Sequence, residues 1–391
     1  MFWRGLNMST ESRDYGKEAV VRHRETRGKV SIAPKMKVET LDDLSIAYTP
    51  GVATVCMTIH ADKSESYHLT NRANTVAVVT DGSAVLGLGN IGPEAAMPVM
   101  EGKSILFKEL AGIDALPICL ATQDTNEIVQ IVRALTPSFG GVNLEDIAAP
   151  RCFDIEDALQ DLGIPVFHDD QHGTSIAVLA GVINALLVTG RKIEDTKFVF
   201  AGAGAGGIAS TKLLMDHGAK HIILVDSVGI ISRDRTDLTA IKSSMLVSTN
   251  PDNLSGGIAE AMRGADVFIG LAAGDMVTPE MVSSMAKDPI VFAMANPIPE
   301  IWPDLAANAG AAVVGTGRSD FPNQVNNSLV FPGVFRGALD SHATRVTTEM
   351  KLAAASAIAG LVKEPTPGNV LPWSLDREVS KAVAKAVSEA A

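Results

Sequence analysis

Cysteine is scarce: Cys56, Cys119 and Cys152 lie far apart and form no Cys-x-x-Cys pair. That excludes a disulfide framework and a thiolate zinc site, and it fits a reducing compartment, the cytoplasm. Positive charge is in the minority, 33 Lys and Arg against 45 Asp and Glu, for a net charge of -12. A chain this acidic is a poor general binder of nucleic acid or of anionic membrane. Uninterrupted apolar length is missing too. The longest apolar stretch, residues 176–188, is broken by Gly181 and Asn184, which predicts a buried helix and no membrane span. The first residues, with Arg4 among them, lack the apolar core of a signal peptide, and Met8 offers an alternative start. Repeats and low-complexity linkers are absent.

What is present is a globular composition, 46% hydrophobic and 20% charged over 391 residues, more than one compact unit needs. From Thr75 onward short apolar runs alternate with helical stretches. Strands are predicted at 76–79, 115–120, 165–167, 198–201, 222–225, 267–269, 290–293 and 312–314. A helix is expected near 15–27. Such alternation predicts βαβ units and parallel sheets. Gly163, Gly190 and Gly218 sit just past helical runs, where a left-handed residue ends a helix.

The strand beginning at Lys197 is followed by Gly202, Ala203, Gly204, Ala205, Gly206 and Gly207, then by a helix, a second strand and Asp226. This is the order of a dinucleotide-binding unit. The glycines admit the pyrophosphate at a helix N-terminus, and the acid meets the ribose hydroxyls. Asp226 favours NAD over NADP, since Ser227 and Val228 bring no positive charge and the next cation is Arg233. Gly87, Gly89 and Gly92 repeat the spacing without a strand-ending acid, and predict a loop of close backbone approach.

A helix over 98–110 puts Val99, Lys103, Leu106 and Leu110 on one face. Lys103 then sits in the apolar stripe, where burial lowers an amine's pKa and suits a general base; snorkelling to solvent is the alternative. Glu145-Asp146 and Asp169-Asp170 follow apolar runs and so lie at the carboxyl ends of strands, the ligand edge of an open α/β sheet. Acidic pairs are usually solvated or cap helices, and Asp154 or Thr174 fits a cap. Taken together, three or four oxygen ligands without cysteine suit Mg²⁺ or Mn²⁺. His168 and His172 flank the second pair but form no HExxH-like zinc arrangement. A nicotinamide site, a buried lysine and divalent-metal carboxylates point to oxidation of a hydroxy acid.

The chain resembles the malic enzymes in their short bacterial and archaeal form. The likeness is carried by 47–53 (Ala-Tyr-Thr-Pro-Gly-Val-Ala), 84–92 (Ala-Val-Leu-Gly-Leu-Gly-Asn-Ile-Gly) and 99–103 (Val-Met-Glu-Gly-Lys). It continues through 143–146, 167–174 (Phe-His-Asp-Asp-Gln-His-Gly-Thr), 295–297 and 317–327. The resemblance implies oxidative decarboxylation of malate to pyruvate and CO₂ with NAD(P) and Mg²⁺ or Mn²⁺. It implies Tyr48 as general acid, Lys103 as general base, Asp169 as the lysine's supporting carboxylate, and Glu145, Asp146 and Asp170 as metal ligands. Asn296 and Asn327 resemble the amides that hold substrate, and Asn296 also touches nicotinamide. Longer eukaryotic-type members carry an arginine for the substrate carboxylate where this chain has Ala84, which leaves that partner open. No counterpart of the acetyltransferase-like extension of some bacterial relatives is expected.

The expected architecture is two-domain α/β with helical termini. Residues 1–175 form a parallel-sheet substrate and metal domain, 176–330 a Rossmann-type NAD(P) domain, and 331–391 helices that return to the first domain. The boundary falls within a helix at 174–189. A homodimer is expected, with the N-terminal helices packed on the partner. Two other readings share the features above: conversion of malate to lactate, and a metal-independent amino-acid dehydrogenase. A third is a nucleotide-sensing module without turnover.

Overall fold

The computed structural model describes residues 14–391, so Arg4 and the alternative start at Met8 lie outside the described residues. Two sheets organise the chain. The first contains β1 (Thr75–Thr80), β2 (Asp114–Cys119), β3 (Gly141–Leu144) and β4 (Val166–His168) in the order β2-β1-β3-β4, all parallel. The second contains β5 (Lys197–Ala201), β6 (His221–Asp226), β7 (Gly229–Ile230), β8 (Val267–Gly270), β9 (Ile290–Ala293) and β10 (Val313–Thr316). Its order is β10-β9-β8-β5-β6-β7, parallel except for β7 at the edge. The order reverses at β5, and at such a switch point the loops diverge and leave a crevice at the carboxyl ends of the strands.

Burial on both faces explains the strands' sequence. β1 reads Thr-Val-Ala-Val-Val-Thr and is buried throughout, so it is a β-branched run, interrupted only by Ala77, with no polar alternation. The short pair β6–β7 was not foreseen, because two residues carry no periodicity.

The helix Asp169–Thr189 stands between the sheets. It begins five residues earlier than the expected 174, directly at the end of β4. Its residues from Ile176 to Val182 are all buried, in a core shared with Val76 and Val78 of the first sheet and Phe198 and Phe200 of the second. Its length and hydropathy would suffice to cross a membrane, but two thirds of it is buried in protein. Asn184 in its interior donates to the carbonyls of Ala359 and Val370, at 3.0 and 2.9 Å, which ties the C-terminal region to this wall. Asp154 and Thr174 cap nothing: both lie inside helices, and the N-cap positions are Pro150 and His168.

The helix Pro93–Ala111 extends the expected one by five residues at its start, since Pro93 suits the first turn. Its Phe107 meets Phe331 and Phe335 of the helix Phe331–Asp340 at ring-centroid distances of 4.7 and 5.4 Å. The helix Phe331–Asp340 thus packs on the Pro93–Ala111 helix beside the first sheet. The N-terminal helices Tyr15–Thr26, Leu41–Ala47 and Val52–Ala61 bury no residue, and Ile32 and Leu41 are 91% and 80% exposed.

Candidate active site

Strand register assembles the acidic groups. β3 and β4 are neighbours with Leu144 opposite His168, so Glu145-Asp146 and Asp169-Asp170 leave adjacent strands at the same level. Asp146 adopts a positive φ of 54°, and its N–H donates to Asp170 Oδ2 at 2.8 Å. Carboxylate oxygens of Glu145, Asp146 and Asp170 come within 4.8 Å of one another. Lys103, on the Pro93–Ala111 helix, closes the cluster. Its Nζ lies 3.1 Å from Glu145 Oε1, contacts Asp169 Oδ2, and sits 4.3 Å from the centroid of the Phe331 ring. Asn327 Nδ2 donates to the same Asp169 oxygen at 2.5 Å. Lys103 is 8% exposed, as its place on the helix face predicted, and it does not snorkel.

The electrostatics differ from expectation at that lysine. Burial alone favours the neutral amine, but the negative charges of Asp169, Glu145 and Asp170 outweigh it and raise the Lys103 pKa. The carboxyls are driven up by desolvation, Asp146 and Glu145 further by the charge of Asp170 and Asp170 by that of Asp169, with Lys103 opposing. Asp169 is pushed up to about 7 by burial and Glu145, against the pull of Lys103. Three buried carboxyls, Glu145, Asp146 and Asp169, and the partly exposed Asp170 thus share one ammonium. Asp146 Oδ2 and Asp169 Oδ1 are buried without a hydrogen-bond partner. An all-oxygen, charge-deficient cluster with unsatisfied lone pairs fits a hard divalent cation such as Mg²⁺ or Mn²⁺. Glu145, Asp146 and Asp170 are the residues placed to hold it.

Neither histidine joins the three-carboxylate cluster: His168 is fully buried with its Nδ1 3.8 Å from Asp170 Oδ2, and His172 bonds to Glu156 and Lys351. Nothing in the sequence singled out Glu156, one of several acids in 154–157, and Asn143 stood in the 143–146 segment without an assigned role; its amide donates to Glu145 Oε2 at 3.0 Å.

The dinucleotide turn abuts this cluster. Gly202 has φ 110°, and a Cβ there would lie 2.4 Å from the Leu271 carbonyl, so no other residue fits. The helix Ala205–Asp216 starts with Ala205, Gly206 and Gly207 immediately after Gly204. A methyl group on Gly206 would lie 3.1 Å from the Asp170 carbonyl, which brings the pyrophosphate turn beside the metal carboxylates. Gly202, Gly204 and Asp226 line a cleft of about 500 Å³. The carbonyl of Asn296, at the end of β9, lies where a Cβ on Gly87 would be, 2.0 Å away. The second glycine run is therefore a close-approach loop linking the two sheets' edges, as its sequence context implied.

Two residue positions depart from expectation. Asp226 is not without cations: Arg235 Nη1 and Nη2 reach its two oxygens at 2.7 and 3.1 Å, and Lys242 Nζ lies at 2.6 Å. Burial opposes its ionisation, yet these partners hold the carboxyl far below the usual range. Arg233 turns away to the carbonyls of Asn250 and Leu246. The sequence hid this because nine and sixteen residues separate the partners from Asp226. Tyr48 is 67% exposed; its backbone bonds to Leu44 and Val52, while its side chain makes no hydrogen bond among the described residues and has no contact with the Lys103 cluster there. At Ala84 the backbone N–H donates to the Asp146 carbonyl at 2.9 Å. The cation beside it, Arg151, is committed to Asp81 at 2.9 Å and to Ser83 Oγ at 3.0 Å.

A dinucleotide fold whose glycine turn meets a buried lysine and an all-carboxylate metal site defines a class, the metal-dependent nicotinamide oxidoreductases. Comparison with known proteins narrows it. The family model "Malic enzyme, N-terminal domain" matches residues 26–160, and "Malic enzyme, NAD binding domain" matches residues 171–391. The chain belongs to the malic enzyme family. It is 54% identical to the bifunctional malic/malolactic enzyme of Bacillus subtilis, covering 96% of this chain and 92% of that protein. It is 56% identical to the NAD-dependent malic enzyme of Geobacillus stearothermophilus, covering 93% and 77%. It is 49% identical to an NADP-dependent malic enzyme of Rhizobium meliloti, of which it spans 47%. The crystal structure of the NAD-dependent malic enzyme of Thermotoga maritima superposes with a TM-score of 0.93 at 48% identity, covering 95% of this chain and 99% of that one.

Proposed function

We propose that the carboxylate–lysine cluster carries out oxidative decarboxylation of malate to pyruvate and CO₂ with reduction of NAD or NADP. The observation that supports it most directly is the placement of one buried lysine among four carboxyls, three of them buried, beside a dinucleotide turn. Lys103 accepts the C2 hydroxyl proton while hydride leaves C2 for the nicotinamide. With a cation held by Glu145, Asp146 and Asp170, part of the attraction that keeps Lys103 protonated is lost, which leaves Asp169 as its partner and moves the amine toward its neutral form. A bound divalent cation supplies Lewis-acid polarisation of the C2 oxygen, which favours loss of CO₂. Asp169 and Asn327 orient the lysine, Asn296 and Asn327 hold substrate, and Tyr48 delivers the proton to C3.

Tyr48 shares its surface with Leu41, Leu44, Ile46 and Met57, all exposed, in the Leu41–Ala61 region where no residue is buried. So large an apolar surface is costly in water and supports a homodimer in which a second copy covers it. The divisions at 175/176 and 330/331, a cytoplasmic location, and the absence of nucleic-acid and membrane partners belong to the same reading.

Both nicotinamide cofactors are accepted in this reading, because Arg235 and Lys242 place positive charge beside Asp226. The deciding experiment assays malate turnover with NAD and NADP in parallel, with and without Mn²⁺. Reduced cofactor and pyruvate are expected only with metal; metal-independent turnover would refute the assignment. A second reading, conversion of malate to lactate, is favoured by the name of the Bacillus subtilis relative. Lactate formed without net NADH release would establish it.

A further inference from the structure

Glu156 belongs to no part of the reaction above, yet it is an almost fully buried carboxylate with three donors on it. It lies on the helix Arg151–Ala158, which follows the Glu145-Asp146 loop. Its oxygens accept from the backbone N–H of His168 at 3.0 Å, from Gln171 Nε2 at 2.9 Å and from His172 Nε2 at 3.0 Å. These donors flank Asp169 and Asp170 in sequence, one just before the pair and two just after. The backbone that carries the two acids is therefore held on both sides by one side chain.

That side chain comes from the segment that also carries Glu145 and Asp146. The clamp thus joins the two halves of the cluster, which leave different strands. On its far side Lys351 Nζ, from the helix Thr348–Leu361, lies 3.1 Å from His172 Nδ1 and extends the chain of contacts to the C-terminal helices. Burial opposes the charge on Glu156, but His172, His168 and Lys351 keep its pKa down at about 2. An ionised acceptor makes stronger hydrogen bonds than a neutral one, so the clamp is stiff.

We propose that Glu156 is a positioning residue that sets the separation of Asp170 from Glu145 and Asp146, and through it the metal affinity of the site. This rests on the metal assignment above. Groups behind metal ligands typically govern affinity by 10–100-fold when they orient those ligands. Glu156→Gln keeps the shape but turns one acceptor into a donor facing donors.

The test measures Mn²⁺ binding to the full chain by electron paramagnetic resonance, without malate or cofactor, alongside NAD binding by fluorescence without metal. Wild type and Glu156→Gln are compared after their melting curves confirm folding. Should Glu156→Gln fail to fold, Gln171→Leu removes one donor and serves in its place. The expected result is Mn²⁺ affinity weakened about 10-fold or more with NAD affinity unchanged within about 2-fold. Unchanged Mn²⁺ affinity, or parallel losses for Mn²⁺ and NAD, would overturn the proposal. A wild type that binds no Mn²⁺ would defeat the metal assignment itself, a separate outcome.

Discussion

Two acidic centres sit at the carboxyl ends of parallel strands, and their electrostatics run in opposite directions. At Glu145, Asp146, Asp169 and Asp170 four carboxyls, three of them buried, face one ammonium, and desolvation and repulsion raise the Asp146 and Asp170 pKa values. At Asp226 the carboxylate meets Arg235 and Lys242, with Asp237 paired to the same arginine, and its pKa is lowered. The residue type and the sheet edge are the same; the local count of cations differs. A buried excess of negative charge is unstable by itself and selects a cation from solution. A balanced pair is satisfied internally and instead shapes what approaches it.

Breaking the first centre has the largest expected effect. Lys103→Ala should lower malate turnover by about 10²–10⁴-fold, the range of a lost general base, with the fold intact by circular dichroism. Near-wild-type turnover in a folded Lys103→Ala protein would remove it from the reaction. Asp146→Asn should cut metal-dependent activity by at least about 10-fold, yet raise the melting temperature of the metal-free protein at neutral pH, because it removes a carboxyl that ionises freely in the unfolded chain and is held protonated in the folded one by desolvation and Asp170. A lowered metal-free melting temperature would contradict the charge imbalance.

Next in size is the response to metal. At about 100 times its dissociation constant, Mn²⁺ should stabilise the wild type by about 2.7 kcal/mol in thermal unfolding. The gain should vanish in Asp170→Asn, and its persistence there would place the metal elsewhere. The second centre should respond least. Lys242→Ala should shift the ratio of NADP to NAD efficiency toward NAD by about tenfold, about 1.4 kcal/mol of differential binding, read from kcat/KM for both cofactors. No change in that ratio would show that Lys242 serves Asp226 alone.

The sequence showed one centre better than the other, for a physical reason. Lys103 was visible because helical periodicity places it among Val99, Leu106 and Leu110. The acidic pairs were visible because each follows a short apolar run. The neighbours that set their charge state were not visible. The amine was expected to carry a lowered pKa, and Asp169 and Glu145 reverse that sign from 66 and 42 residues away. Arg235 and Lys242 carried no signal in the sequence, and only the fold of the segment after β6 turns them onto Asp226. Tyr48 was assigned through resemblance, and its exposure shows that its partners are not in the chain's own core.

By itself the sequence determined the alternation of strands and helices, the glycine turn after β5, and which acids stand at strand ends. These follow from local periodicity and from backbone geometry that only glycine permits. The tertiary structure decided which charges meet. Parallel pairing of β3 with β4 put two acidic pairs at one level, and burial on the Asp169–Thr189 helix removed the water that would have kept them apart electrostatically. Coulomb interaction and desolvation depend on distance through space, and no spacing along the chain specifies that distance.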